Sequence, residues 1–241
     1  VILYDKIGKE KSWWGNLRFS RELAKKSFDI VIHLHPTNRM HWVSWLAQIP
    51  VRVGYRKKNA WTLTHSIPDE KSEGKKHEAE YNFDLLKLLG IDPPARITPY
   101  FPLKEKDRIS LRFLSNHLGL SMEKPYVVLN PGASCPSKIW PTDRYARLAE
   151  KLSKNYGCQI VLIGRTRERL IALKVKEHLS ALPVIDLSGK LSLGMLGRLL
   201  KEARLLISND SGPVHVATAV GTPVISIFGR NLSGLSPRRW G

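Results

Sequence analysis

Two short segments of the chain concentrate residue types that could hold a phosphorylated ligand. The first is Asn130-Pro131-Gly132-Ala133-Ser134-Cys135-Pro136-Ser137-Lys138-Ile139-Trp140-Pro141. Its small residues let backbone approach a phosphate closely, Lys138 can supply a point charge, and Ser134 can supply a hydroxyl donor. The same residues also read as an ordinary connection with a surface lysine, because the segment is neither a Walker A loop nor a G-x-G-x-x-G loop. The second segment is Ser208-Asn209-Asp210-Ser211-Gly212-Pro213-Val214-His215-Val216-Ala217. Ser211 and Gly212 could present backbone amides to an anion at the start of a helix, and Asp210 could accept hydrogen bonds from sugar hydroxyls. His215 could donate to a phosphate or simply pack, and Asp210 reads equally well as a helix N-cap. Ser, Asp and His occur together here, but the G-x-S-x-G elbow of a serine hydrolase is absent.

Both segments must be positioned by strands. Residues 126–130 and 205–208 are apolar and strand-sized, and each runs directly into one of the loops. A small-residue loop at the carboxyl end of a parallel strand is where α/β folds bind ligands. Around these two, apolar runs alternate with amphipathic stretches, which predicts a parallel α/β sheet. Strands are expected at 159–164, 184–187 and 223–228, and helices at 142–155, 167–179, 191–202 and 212–220, with Thr142 or Asp143 capping the helix at 142. The first half gives strands at 1–4, 29–34 and 51–55 and helices at 40–48, 78–89 and 106–118. Residues 68–76 are polar and charged and read as a surface loop. The domain boundary is placed between Gly119 and Lys124, giving residues 1–120 and 121–241.

The chain has 241 residues, with 42% hydrophobic and 25% charged residues, the balance of a folded globular protein. Its 39 Lys and Arg against 21 Asp and Glu give a net charge of +18. Such an excess implies an anionic partner, whether nucleic acid, a membrane surface or a phosphorylated substrate. No zinc-finger, RNP or KH signature is present to favour nucleic acid. The two cysteines, Cys135 and Cys158, have neither C-x-x-C nor zinc spacing, which points to a reduced compartment. No apolar run is long enough to span a bilayer. The chain opens on Val1 within a strand-like run and closes just after a turn-like segment, so both ends read as cut.

The order of the motifs is more specific than any one of them. Asn130-Pro131-Gly132, Lys138-x-Trp140-Pro141, Val161-Leu162-Ile163-Gly164, Asp186 to Leu193, Asn209-Asp210-Ser211-Gly212-Pro213-x-His215, Gly221-Thr222-Pro223-Val224 and Phe228-Gly229 together resemble glycosyltransferase family nine. These are the ADP-heptose:lipopolysaccharide heptosyltransferases, and the likeness is closest to type II. In the first half, residues 28–32, Arg52-Val53-Gly54-Tyr55 and His77 leading into Gly90-Ile91 look like the same family, so the resemblance covers nearly the whole chain.

The resemblance implies a GT-B architecture, with two Rossmann-like domains facing across a cleft. It implies an acceptor-binding domain over residues 1–120 and a nucleotide-sugar domain over residues 121–241. Ser134, Lys138, Asp210, Ser211, Gly212 and His215 would bind the donor diphosphate and sugar, with Glu168 as the candidate for the ribose. The loop after the strand ending at Leu34 offers His35, Thr37, Asn38 and Arg39 to an acceptor, although a capped turn with a solvated Arg39 fits it as well. The implied reaction is inverting and metal-independent, and no Asp-x-Asp pair is present. The ADP-sugar is a substrate, and no cofactor is expected. The acceptor would be the anionic lipid A–Kdo core, at the cytoplasmic face of the inner membrane, with no nucleic acid involved. The strand and Gly-rich loop that carry the family's general base are expected upstream of Val1. The 241 residues alone are therefore expected to be inactive, and a nucleotide-sugar-binding module without turnover stands as the alternative.

Overall fold

A computed structural model describes residues 2–35, 37–179, 181–230 and 232–241. In chain order the main elements are α1 (Trp13–Ala24), β1 (Ile30–His33), α2 (Asn38–Leu46), β2 (Val51–Arg56), β3 (His65–Pro68), α3 (Glu78–Lys87), α4 (Glu105–His117) and β4 (Tyr126–Asn130). Then follow α5 (Thr142–Tyr156), β5 (Gln159–Leu162), α6 (Arg169–Glu177), β6 (Val184–Asp186), α7 (Leu193–Glu202), β7 (Leu205–Asn209), α8 (Gly212–Val220), β8 (Val224–Ile227) and a last short helix Pro237–Trp240. The chain divides into two compact units, one of residues 1–97 with 233–240 and the other of residues 98–232 with Gly241.

The second unit is a five-stranded sheet in the order β6-β5-β4-β7-β8, with every neighbouring pair parallel. β4 lies at its centre and is buried along its whole length. Its side chains alternate between two apolar layers, as the two-residue period of a strand requires. Tyr126 and Val128 pack with Leu199, Leu200 and Leu206, while Val127 and Leu129 pack with Tyr145, Ala149 and Ile160. Leu111 of α4 belongs to the first of these layers, with Phe101 and Leu103 packed against it. Gly197 makes room for Phe101, since a Cβ there would lie 2.3 Å from the ring. This packing is why the division falls before Thr98, whereas the sequence suggested a boundary after α4. The start of α5 also differs from expectation. Its N-cap is Pro141, and Asp143 pairs with Arg147 one turn on rather than capping.

The first unit carries a three-stranded parallel sheet in the order β1-β2-β3. Residues 2–5 form no strand, contrary to expectation, and Val1 lies outside the described residues. Tyr4 is instead tied to α1: its hydroxyl donates to Asn16 Oδ1 at 2.5 Å, and its ring meets Phe19 edge-on at 5.0 Å. Neither α1 nor β3 was anticipated. α1 is announced by a local signal, Ser12, whose Oγ accepts from the Gly15 amide at 3.0 Å. β3 is four residues long and ends on Pro68, which weakens any strand pattern and is tolerated at a sheet edge.

Residues 68–76 are not wholly a surface loop either. Lys71 is 4% exposed. Its ammonium donates to the Leu34 carbonyl at 2.9 Å and to Asn82 Oδ1 at 3.0 Å, and pairs with Glu78 at 2.5 Å. The other Glu78 oxygen accepts from Arg239 at 2.8 Å. One carboxylate thus joins two cations and fixes the segment 233–240 onto this unit. Gly74 allows the approach: it has φ +62°, and a Cβ there would sit 1.9 Å from the Ser233 carbonyl oxygen.

β1 ends on His33, a buried imidazole whose Nε2 lies 3.0 Å from Ser44 Oγ and whose ring meets His41 edge-on at 4.8 Å. Burial first, then the charges of His41 and Arg52, lower its pKa to about 4 from the ordinary 6.5. Between these two values the unfolded chain takes up a proton that the folded chain refuses. The stability this neutral imidazole contributes is therefore complete above pH ~6.5 and drains away as the pH falls toward 4. At about 1.4 kcal/mol per unit, the loss reaches roughly 3 kcal/mol. Urea unfolding at neutral and at acid pH is expected to show this slope, and His33→Gln is expected to reduce it, leaving the part that comes from His41, whose pKa burial also lowers.

Candidate nucleotide-sugar site

The two loops singled out in the sequence leave the carboxyl ends of β4 and β7, which pair directly, with Asn130 opposite Ser208. That register brings the loops side by side, and two buried asparagines join them. Asn130 Nδ2 donates to Ser208 Oγ at 2.9 Å and to Ser211 Oγ at 2.8 Å, crossing from the first loop to the second. Asn209 crosses the other way, donating to the Pro131 carbonyl at 2.8 Å and accepting from the Trp140 amide at 3.0 Å. Tyr145 of α5 closes the base, donating from its hydroxyl to the Asn130 carbonyl at 3.2 Å. Burial pushes the Tyr145 phenol well above its ordinary range, so it stays a neutral donor.

On this platform Lys138, at the end of the short turn Pro136–Lys138, reaches Asp210. Its Nζ lies 2.5 Å from Asp210 Oδ2, with both side chains largely shielded. Ser211, not Asp210, occupies the N-cap position of α8, and its side chain makes no capping hydrogen bond. Its hydroxyl is engaged by Asn130 and Ser208 instead. Pro213 contributes no N–H, so the start of α8 keeps an amide at Gly212 with no side-chain cap, where the helix dipole favours negative charge. Gly212 is exposed, and nothing lies within 4 Å of where a Cβ would stand. His215 falls on the first turn of α8 and is exposed.

Glu168 joins the site from the loop after β5. Its carboxylate accepts from the Arg165 amide at 2.9 Å and lies against Gly132, where a Cβ would come within 2.7 Å of Oε2. The side chain is 11% exposed against 63% for Arg167, so the structure turns the acid inward and the arginine outward. Ser134 sits exposed on the first loop, apart from the Lys138–Asp210 contact.

Three contributors escaped the sequence reading. Asn130 and Asn209 stood inside the quoted motifs, yet nothing in the sequence says that their side chains cross between loops. Arg230, from the loop after β8, donates to Ser137 Oγ at 3.0 Å and touches the Cys135 sulfur. The hydrogen bond with Ser137, followed by the nearby Arg230 and Lys138 charges, holds the Cys135 thiol below its ordinary range. Among the described residues, no three His, Cys, Asp or Glu side chains are grouped to hold a metal ion.

The loop considered for an acceptor lies in the first unit, at the carboxyl end of β1. His35 and Asn38 are exposed, Thr37 is the N-cap of α2 without a side-chain cap bond, and Pro36 lies outside the described residues. Arg39 is exposed and reaches back to the Lys6 carbonyl at 3.4 Å and the Tyr4 hydroxyl at 3.5 Å.

The family model of glycosyltransferase family 9 (heptosyltransferase) matches residues 16–237. Lipopolysaccharide heptosyltransferase 3 of Escherichia coli K12 is 29% identical over 88% of this chain and 62% of its own length. Lipopolysaccharide heptosyltransferase 2 of the same organism is 25% identical over 91% of this chain and 65% of its own length. The chain thus spans less than two thirds of these curated relatives. A family 9 glycosyl transferase from Veillonella parvula superposes with a TM-score of 0.85 at 26% identity, covering 98% of this chain and 69% of that one. The E. coli ADP-heptose lipopolysaccharide heptosyltransferase II gives a TM-score of 0.73 at 23% identity, covering 93% of this chain and 71% of that one. The parallel-sheet, Rossmann-like architecture is that of these GT-B structures. By this match, which takes in all of the second sheet and most of the first unit, the chain belongs to glycosyltransferase family 9, the heptosyltransferase family.

Proposed function

We propose that this chain supplies the donor site of an inverting, metal-independent glycosyltransferase that moves a heptose from an ADP-sugar to the lipopolysaccharide inner core. The observation that carries the reading is the Lys138–Asp210 pair beside the uncapped start of α8, on loops from adjacent parallel strands. A diphosphate laid there meets the Lys138 ammonium and the amide end of the helix, while Asp210 and Glu168 accept from sugar and ribose hydroxyls. His215, on the first turn of α8, and Ser134, on the facing loop, add donors at the rim.

In the reaction an acceptor oxygen attacks the anomeric carbon on the face opposite the diphosphate. The new C–O bond forms as the bond from carbon to phosphate oxygen breaks, so the configuration inverts and ADP departs. A carboxylate base takes the acceptor's hydroxyl proton. Charge growing on the leaving diphosphate is met by Lys138 and the helix amides, which are in place before the reaction starts. The test is transfer from ADP-heptose to a Kdo-bearing acceptor by a family 9 enzyme carrying these two loops, assayed with a chelator present and with the anomeric configuration of the product determined. Activity that requires an added divalent ion, or that retains configuration, overturns the mechanism.

On the acceptor side, the loop of His35, Thr37, Asn38 and Arg39 faces an anionic lipid A–Kdo substrate at the inner leaflet. In a family 9 enzyme carrying this loop, Arg39→Ala is expected to raise the acceptor KM about tenfold, the cost of one exposed charge-assisted contact, and to leave donor affinity unchanged. Unaltered acceptor kinetics would remove the loop from the site.

A further inference from the structure

Three tryptophans of the first unit form an exposed aromatic cluster. Trp42 and Trp45 lie on α2, and Trp61 lies on the short turn Ala60–Thr62 between β2 and β3. Their rings meet pairwise edge to face, with centroids 5.2 to 5.5 Å apart. They keep 39%, 38% and 60% of their surface exposed. Burying the largest apolar side chains is the strongest drive in folding, so three rings that gather and still face solvent mark a surface that meets something other than water.

The surroundings say what that is. Arg56, Lys57 and Lys58 directly precede the Trp61 turn and are all exposed. Only Lys57 makes an ion pair among the described residues, with Asp69 at 3.0 Å. Residues 2–62 hold twelve Lys and Arg against four acids. The helix that packs on α2, α1, begins with Trp13 and Trp14, which are 65% and 74% exposed. Indole rings settle at the boundary of headgroups and acyl chains, where the apolar body is buried and the N–H stays hydrated. Lysine and arginine beside them add attraction to an anionic leaflet.

We infer that the Trp42–Trp45–Trp61 cluster, with Arg56 and Lys58 at its margin, is a docking surface for an anionic lipid bilayer. The binding is peripheral, since no helix of the described residues is long and apolar enough to cross a membrane. This deepens the proposed function by naming the surface that brings the chain to a lipid-anchored acceptor, yet it does not depend on the donor site.

Cosedimentation of the 241-residue chain with phosphatidylethanolamine–phosphatidylglycerol vesicles, beside phosphatidylcholine vesicles, tests it, with ADP titrated into the same samples. Binding to the anionic vesicles is expected, with a blue shift of tryptophan emission and quenching by brominated acyl chains. The double variant Trp42→Ala/Trp61→Ala is expected to bind about tenfold more weakly with its far-UV CD unchanged. Arg56→Gln/Lys58→Gln is expected to weaken binding at low salt and to make little difference at high salt. Should the double tryptophan variant misfold, quenching in the unsubstituted chain together with Trp61→Ala alone decides the matter. Equal binding to neutral vesicles, absence of quenching, or tryptophan variants that bind as well as the parent overturns the inference. Conversion of a dimer to a monomer by the tryptophan substitutions, without vesicle binding, assigns the cluster to a second copy of the chain. Vesicle binding without ADP binding would count against the donor site alone.

Discussion

Replacing Lys138 by alanine is expected to weaken ADP binding by about ten- to a hundredfold, while binding of adenosine stays as it was. The lysine carries the positive charge held at the site by Asp210, and losing one charge-assisted contact costs about 1.5–3 kcal/mol. A second effect adds to the loss. Without Lys138, the largely shielded Asp210 carboxylate stands unpaired where phosphates must approach, and like charges repel more strongly away from water. The double variant Lys138→Ala/Asp210→Asn should therefore bind ADP better than Lys138→Ala alone. Lys138→Arg keeps the charge but replaces a compact ammonium with a planar fork, and should fall between the parent and Lys138→Ala. Isothermal titration with ADP, AMP and adenosine measures all of this. If the three ligands lose affinity equally in Lys138→Ala, the lysine acts on the fold and not on the diphosphate.

The sequence made this pair of loops visible because the signals were local. An apolar strand-sized run, a cluster of small residues and a helical period recur in order from Tyr126 to Ile227, and each corresponds to an element of the five-stranded sheet. What stayed hidden depends on partners distant in sequence. Tyr4 looked like part of a strand because its neighbours are apolar, but strand formation needs an edge to pair with, and the tyrosine found Asn16 and Phe19 instead. Lys71 sits in a charged stretch that reads as solvated, and only the fold brings Leu34, Asn82 and Glu78 around its ammonium. Within the site, Asp210 looked like a helix cap because acids commonly precede helices; one position further on, Ser211 takes that place and leaves the carboxylate to Lys138. Glu168 beside Arg167 was ambiguous in register until Gly132 fixed which of the two faces inward.

Asn209→Leu is expected to be the most destabilising of these changes, for a reason that also bears on binding. The side chain is completely buried. Its amide donates to the Pro131 carbonyl, and its oxygen accepts from the Trp140 amide. A leucine fills a similar volume but leaves both backbone groups without a partner. Unsatisfied polar groups away from water cost about 1–3 kcal/mol each, so a loss of roughly 2–6 kcal/mol is expected in urea unfolding. The consequence for ligand follows from the same geometry. Lys138 stands on the loop between these two anchors, so releasing Pro131 and Trp140 frees the segment that carries the charge. The folded fraction of Asn209→Leu should then bind ADP at least about tenfold more weakly, although no atom of Asn209 need touch the nucleotide. Combining it with Asn130→Ala, which cuts the reciprocal bonds to Ser208 and Ser211, should cost less than the sum of the two, because both asparagines hold the same pair of loops. Strict additivity, or ADP affinity untouched in a folded Asn209→Leu protein, would show that the loops are set independently and that the cross-loop bonds serve stability alone.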